Sequence, residues 1–263
     1  MVLLMLTQIT PAAPVTFWFY GRVEYANDFT GAMPSGIQVG TPFAGKVTYD
    51  QDYVYYNSTG AAGAVGNYYF KKLEGFSSHI QIGTHTLTNS IVGSFGWSGN
   101  ISVYNGFQDA DSMFIDIGQA GFIMDGQPQT NTVFELYLRD NSQSAHSSIA
   151  LPTQPPTDVA FPDNRSLTWT QDDGHGNYFF GISGHIIQLT AQPLVFLNFR
   201  AIDETRYRIS WPLAVTGGLL QWSTEIAPEE WHDVAEAVVP DGMENAVIVP
   251  STSKNRFYRL VIP

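Results

Sequence analysis

Two pairs of aspartates stand where the chain breaks from alternating apolar runs: Asp50-Gln-Asp52 and Asp109-Ala-Asp111. Carboxylates at i and i+2 in a loop can turn the same way and offer hard oxygens to Ca2+. Asp109 and Asp111, with Asn105 close in sequence, make the better cluster, and Asp50 and Asp52 the second. Neither pair sits in an EF-hand loop closed by a glutamate, so both also read as solvated turn carboxylates. Ca2+ is the cofactor these residues would take; nothing in the chain points to an organic one.

A second chemistry is written in Asp172-Asp-Gly-His-Gly-Asn177, between two apolar runs. Asp172 or Asp173 could orient His175 as a general base. The same residues also make a hairpin tip, because Gly, Asn and Asp tolerate positive φ. His79 and His85 flank another short turn. With Gly83-Thr84 as a two-residue connection, Ile82 pairs with His85 and Ile80 with Leu87, which puts His79 on the other face. A metal shared by those two histidines is therefore disfavoured, and His85 reads as a satisfied core or rim residue. Gly96-Trp-Ser-Gly99 and Gly181-Ile-Ser-Gly-His185 lack the closing glycine of a nucleophile elbow and the helix that must follow it.

Aromatic side chains are the third group. Tyr53-Val-Tyr-Tyr56 and Tyr68-Tyr-Phe70 flank a Gly- and Ala-rich stretch at residues 57–67. On a strand Tyr53 and Tyr55 share one face. Flat rings on a sandwich can stack on sugars while Asp and Asn bond hydroxyls, and Trp97, set among glycines, could join them. Packing at the core or edge is the alternative for all three rings.

The elements that must position these groups are strands. The 263 residues carry 14% aromatic and only 14% charged residues, with 44% hydrophobic content. Period-two alternation punctuated by Gly, Pro, Asn and Asp predicts an all-β chain. Strands are expected at 16–23, 42–49, 68–73, 78–82, 85–89, 94–103, 112–118, 133–139, 166–171 and 178–189. Six shorter ones are expected at 195–200, 206–211, 218–223, 231–235, 245–249 and 256–262. Only residues 228–237, beginning Pro-Glu-Glu, have the look of a helix start.

Composition changes near residues 191–197. Before Leu194 there are 12 Asp and 3 Glu against 6 Lys and Arg; from there on, 3 Asp and 6 Glu against 6. That shift predicts an Asp-rich antiparallel sandwich, jelly-roll-like, over residues 15–192 and a smaller sandwich over 193–263. In Tyr207-Arg-Ile-Ser-Trp211 the alternation makes Trp211 the expected core aromatic of the second. Residues 1–14 read as the remnant of a secretory leader, an apolar stretch followed by small residues but without a basic start; a first β-strand is the other reading.

The net charge of −12 argues against nucleic acid, which needs clustered Lys and Arg. No apolar run reaches the roughly 18 residues that would suggest a membrane-spanning helix. With no cysteine there are neither disulfides nor thiolate metal sites, and export without cysteine suits a bacterial source.

Ile209-Ser-Trp-Pro212, Leu220-Gln-Trp-Ser-Thr-Glu-Ile226, Trp231-His-Asp-Val234, Asn245-Ala-Val-Ile-Val-Pro250 and Arg256-Phe-Tyr-Arg-Leu260 together resemble a C-terminal module of exported proteins from the Planctomycetes–Verrucomicrobia group. That resemblance covers about residues 197–263 and implies a small fibronectin-III-like sandwich. Val39-Gly-Thr-Pro-Phe-Ala-Gly-Lys-Val-Thr-Tyr-Asp50, Leu138-Arg-Asp-Asn-Ser142, Ala150-Leu-Pro152 with Pro155-Pro156, and Gly181-Ile-Ser-Gly-His-Ile186 resemble exported proteins of the PEP-CTERM type. This second resemblance covers about residues 15–190, implies an address outside the cell or in the periplasm, and implies no activity. Two functions follow as expectations: an exported binding or matrix protein recognising polysaccharide, another surface polymer or a small molecule, or a Ca2+-dependent hydrolase of a small ester, lactone or glycosidic bond.

Overall fold

A computed structural model describes residues 13–59, 64–71, 73–89, 98–117, 122–129, 131–175, 177–192, 197–212, 218–225, 230–241, 244–251 and 255–261. The chain divides into two compact units, residues 1–192 and 193–263. Nearly all of the expected leader and all of Trp97 lie outside the described residues.

The first unit is built from β1 (Val15–Asp28), β2 (Pro42–Tyr49), β3 (Val54–Thr59), β4 (Val65–Phe70), β5 (Phe76–Ile82), β6 (His85–Asn89), β7 (Gly99–Phe107), β8 (Ala110–Asp116), β9 (Phe122–Met124), β10 (Gln127–Gln129), β11 (Thr132–Asp140), β12 (Asn164–Asp172) and β13 (Tyr178–Thr190). They form one antiparallel sheet in the order β10-β9-β6-β5-β2-β1-β13-β12-β11-β8-β7-β4-β3. Strands far apart in that order touch through their side chains: Phe70 of β4 lies 5.5 Å from Phe76 of β5, and Phe122 of β9 lies 5.6 Å from Trp169 of β12, ring centre to ring centre. The sheet therefore curls over on itself and closes around one apolar core, as a sandwich does.

Alternation explains which faces go inward. β5 reads buried at Phe76, Ser78, Ile80 and Ile82 and part-exposed between them, and β11 repeats the pattern from Thr132 to Asp140. The bend at the centre needs room for backbone. Gly21 of β1 and Gly184 of β13 both lie under the ring of Phe43, where a Cβ on either would overlap it. Register irregularities at Tyr20/Gly21 and Val23/Tyr25 fall in the same stretch, as expected where a strand is made to bend.

The second unit carries β14 (Asn198–Asp203), β15 (Arg206–Pro212), β16 (Leu219–Ser223), β17 (His232–Asp233), β18 (Val239–Asp241), β19 (Glu244–Pro250) and β20 (Phe257–Val261). Sheets β14-β15-β19-β18 and β17-β16-β20 share a core of Ile209, Trp211, Leu220, Val247 and Val249. Trp211 is 1% exposed, the core aromatic its alternating strand demands.

The all-β reading holds: among the described residues there is no α-helix, and Gln51–Tyr53 forms a 3-10 turn. Of the helix considered at 228–237, residues 228 and 229 lie outside the described residues, and the rest is not helical but carries the short strand His232–Asp233. The Gly- and Ala-rich stretch at 57–67 is partly strand, since β3 runs to Thr59 and β4 starts at Val65. No helix among the described residues is long and apolar enough to cross a membrane, which leaves open a crossing by strands.

Candidate functional site

Each aspartate pair is divided by the backbone. Asp50, almost buried, caps the 3-10 turn and accepts the Asp52 N–H at 2.9 Å, while Asp52 stays at the surface. Asp111 is fully buried and accepts N–H groups of Gly106 (2.8 Å) and His146 (2.8 Å). Asp109 points outward at the tip of the β7–β8 hairpin with φ of 59°. One carboxylate of each pair thus holds backbone rather than facing its neighbour. Among the described residues no three His, Cys, Asp or Glu side chains gather as metal ligands.

The Asp172–Asn177 stretch is the tip between β12 and β13. Asp172 accepts the Gly174 N–H at 2.6 Å, and Asp173 accepts the N–H groups of His175 (2.7 Å) and Asn177 (3.2 Å) and the Asn177 amide (2.7 Å). Bonds from the Asn177 side chain and the His175 N–H hold the Asp173 pKa below its ordinary value. The His175 ring is exposed, and among the described residues no hydrogen bond joins it to either aspartate. The carboxylates shape the turn.

His85 pairs as its turn dictates, Ile82 opposite His85 and Ile80 opposite Leu87. Its ring is tied to Asp125 (2.7 Å) and to the Ser35 carbonyl (2.9 Å). Burial alone would lower its pKa, but those two partners raise it overall. It is a satisfied rim residue.

The tyrosines split as well. Tyr53 belongs to the 3-10 turn instead of a strand and packs over Gly75. Tyr55, on β3, is 60% exposed and stacks on the Lys71 ammonium at 3.7 Å. The shared face predicted for Tyr53 and Tyr55 is lost because Asp50 turns the chain before β3 begins.

What the sheet assembles instead lies on its outer face, across β4, β7, β8, β11 and β12. Register places Tyr69, Asn100, Asp116, Glu135 and Thr168 side by side in one row. The next row holds Asn67, Ser102, Phe114, Tyr137 and Ser166. Phe114 stacks on Tyr137 at 4.4 Å and meets the edge of Tyr104 at 5.3 Å, and Tyr69 lies 5.7 Å from Tyr56. Ser102 donates to Asn67 Oδ1 at 2.7 Å, which fixes that amide beside the rings. These groups stand on strands whose other face is core, so their spacing is set by the ladder.

Burial and the facing Asp116 carboxylate push the Glu135 pKa up to about 7. The Tyr104 hydroxyl is raised by burial and by Glu135 and its tyrosine neighbours. The site is therefore a row of half-buried rings beside a carboxyl group that holds its proton close to neutrality. A raised carboxyl has a stability signature. The folded chain keeps the proton from the unfolded value near 4.3 up to about 7, so stability falls as pH rises through that window. Glu135→Gln is expected to leave melting unchanged at pH 4 and to raise it by several degrees at pH 8. Calorimetry at the two pH values checks this, and an equal gap at both would show that Glu135 is not the buried acid.

Residue-by-residue reading misses these groups because each is an ordinary polar position of an alternating strand. Cross-strand register would have found them: Glu135 and Asp116 are 19 positions apart in sequence and adjacent in the sheet. No family model matches the chain, and neither a curated protein nor a solved structure does.

Proposed function

We propose that the protein is an exported binding or matrix protein whose outer sheet face recognises a neutral polyhydroxylated polymer, a polysaccharide. One observation carries this: Tyr104, Phe114 and Tyr137 form a continuous run of rings beside Asn67, Asn100 and Glu135, whose carboxyl pKa burial pushes up to about 7. Rings take the apolar faces of sugars, while amides and a protonated carboxyl bond their hydroxyls. The net charge of −12 favours a neutral polymer over an anionic one. The exported address rests on the leader-like segment and on the two resemblances, which also supply the fibronectin-III-like reading of residues 193–263.

Retention on a panel of insoluble glycans tests this. Tyr137→Ala is expected to weaken retention about tenfold, the loss of one stacking partner, with the melting temperature lowered only slightly. Failure of the wild-type protein to bind any glycan of a broad panel would end the proposal.

A second reading is hydrolysis of a glycosidic bond, favoured by the pairing of a carboxyl near pKa 7 with a facing carboxylate, the division of roles that acid–base chemistry on sugars requires. Chromogenic glycosides should then be turned over, and Glu135→Gln should abolish turnover while retention persists. The Ca2+ dependence proposed with it rests on the sequence spacing of Asp50, Asp52, Asp109 and Asp111. A bound ion must stabilise the native state, so melting in Ca2+ should exceed melting in chelator; equal midpoints would remove the ion.

A further inference from the structure

The connection between β1 and β2, residues 29–41, is a strap laid against the core by Met33 and by Ile37, which is 4% exposed. Its two ends are tied down. Near β1, Asp28 accepts the N–H groups of Gly31 (2.7 Å) and Ala32 (3.1 Å), and the Phe29 N–H donates to the Phe179 carbonyl at 2.9 Å. Near β2, the Gly40 N–H donates to the Val23 carbonyl (2.8 Å) and the Gln38 N–H to the Thr41 hydroxyl (2.9 Å). The middle has far less. Among the described residues a single hydrogen bond reaches residues 33–37, from Nε2 of His85 to the Ser35 carbonyl at 2.9 Å. Gly31, Gly36 and Gly40 take φ of 81°, 80° and 90° with nothing packed over them, so the strap has free pivots on either side of that bond.

That bond makes a demand on the imidazole. The Ser35 carbonyl can only accept. On the other side of the ring Nδ1 lies 2.7 Å from one oxygen of Asp125, whose second oxygen accepts the Thr86 N–H at 2.8 Å. Burial works against that carboxylate, but the Thr86 N–H and the imidazole lower its pKa and keep it ionised, so it too can only accept. Both ring nitrogens must therefore carry a proton, and only the imidazolium has two. Burial likewise draws the His85 pKa down, and the Ser35 carbonyl and Asp125 outweigh it. A neutral ring has to give up one partner. Hydrogen bonds to a carboxylate are roughly twice as strong as those between neutral groups, so the remaining proton stays on Nδ1 and the Ser35 carbonyl is released. Asp125 is the one charged group facing the ring among the described residues. Ile82 stands opposite His85 on β5, residues 29–41 include no titratable side chain, and Lys46 and His79 belong to the other side of the sheet.

We propose that His85 is a proton-operated latch: as an imidazolium it joins the β9–β10 turn to the strap, and on losing its proton it keeps the turn and lets the middle of the strap go. The geometry sets the direction. The latch is closed below about 6.5, the value of an unfolded histidine, and opens as pH rises through the folded value. Release is local, because Asp28, Val23 and Thr41 still hold both ends. What it bares is the apolar surface under Met33 and Ile37. The latch involves none of the outer-face rows and does not depend on the polysaccharide reading.

The chain has no cysteine, so Ile37→Cys gives the full-length protein one buried thiol as a reporter of the strap. Its labelling by an aromatic disulfide is read against a free cysteine peptide at the same pH, which cancels the titration of the thiol itself. Relative labelling is expected to rise by at least about fivefold from pH 5.5 to pH 9, the weight of one hydrogen bond. In the wild-type chain, 15N-labelled at histidine, His85 should carry protons on both nitrogens at pH 5.5 and on Nδ1 alone at pH 9. Asp125→Asn suits the left-handed backbone at that position, φ 49°, and should move the transition to lower pH by removing the charge. His85→Ala in the reporter chain should label at the fast rate at both pH values; if it fails to fold, the Asp125→Asn shift decides. Labelling that ignores pH, a proton left on Nε2 at pH 9, or an unmoved transition in Asp125→Asn would each overturn the proposal.

Discussion

Trp169→Ala is expected to lower the unfolding free energy of the first unit by about 3–5 kcal/mol, the cost of removing a large side chain from a closed core. Trp169 is 1% exposed, and its ring lies 5.6 Å from Phe122, 6.2 Å from Phe134 and 5.1 Å from Phe180. Phe122 belongs to the opposite half of the curled sheet, so this ring is one of the fastenings that keep the two halves facing. Deleting it leaves a cavity that rigid ladders cannot collapse to fill. Trp169→Phe should cost much less, for two reasons. It leaves most of the ring volume in place, and it removes a buried indole N–H that has no hydrogen-bond acceptor. The near edge-on Phe180 ring, at 87°, compensates that N–H only weakly. Urea denaturation of the three proteins, with the slope unchanged, measures the differences. An alanine variant within about 1 kcal/mol of wild type would mean that the halves are held elsewhere. Thr168, beside Glu135 on the outer face, shares a strand with Trp169, so glycan retention should weaken in step with stability.

The strands were legible because period-two alternation is imposed by the core face alone. Residues 42–49 and 85–89 appear with the bounds expected of them, and 178–189 extends by only one residue. Short edge pieces such as Phe122–Met124 and Gln127–Gln129 were not legible, since three residues show no period and Pro128 reads as a break. The candidate site was less legible for a different reason. Aspartates singled out for their spacing turned out to serve the backbone: Asp50 a 3-10 turn, Asp172 and Asp173 a hairpin tip, Asp111 a loop. Local spacing is also the signature of turn chemistry, and turns are the commoner use of Asp. Glu135, Asp116, Phe114 and Tyr137 gain their meaning only from pairing across strands, and pairing is a property of the fold.

Asp140→Ala should cost about 3 kcal/mol, because it removes a buried, ionised acceptor to which the donors of Ser142, Ser144 and Ala145 all point. The carboxylate is fully buried at the end of β11 and accepts from the Ser142 N–H (2.8 Å) and hydroxyl (2.6 Å), the Ser144 N–H (2.7 Å) and hydroxyl (3.0 Å), and the Ala145 N–H (2.9 Å). Burial by itself would raise its pKa, but the serine donors overcome that and hold it well below the usual carboxylate range. The sign of the pH dependence follows. A group whose folded pKa is depressed contributes above its unfolded value near 3.9, and the contribution is lost as pH falls toward the folded value. The gap between wild type and Asp140→Ala should therefore be full at pH 6 and clearly narrower at pH 2.5, measured by denaturant unfolding at each. Asp140→Asn should fall between them at pH 6, since an amide oxygen accepts fewer and weaker bonds. A gap that stays constant across this range would mean that packing, and not charge, is what Asp140 supplies.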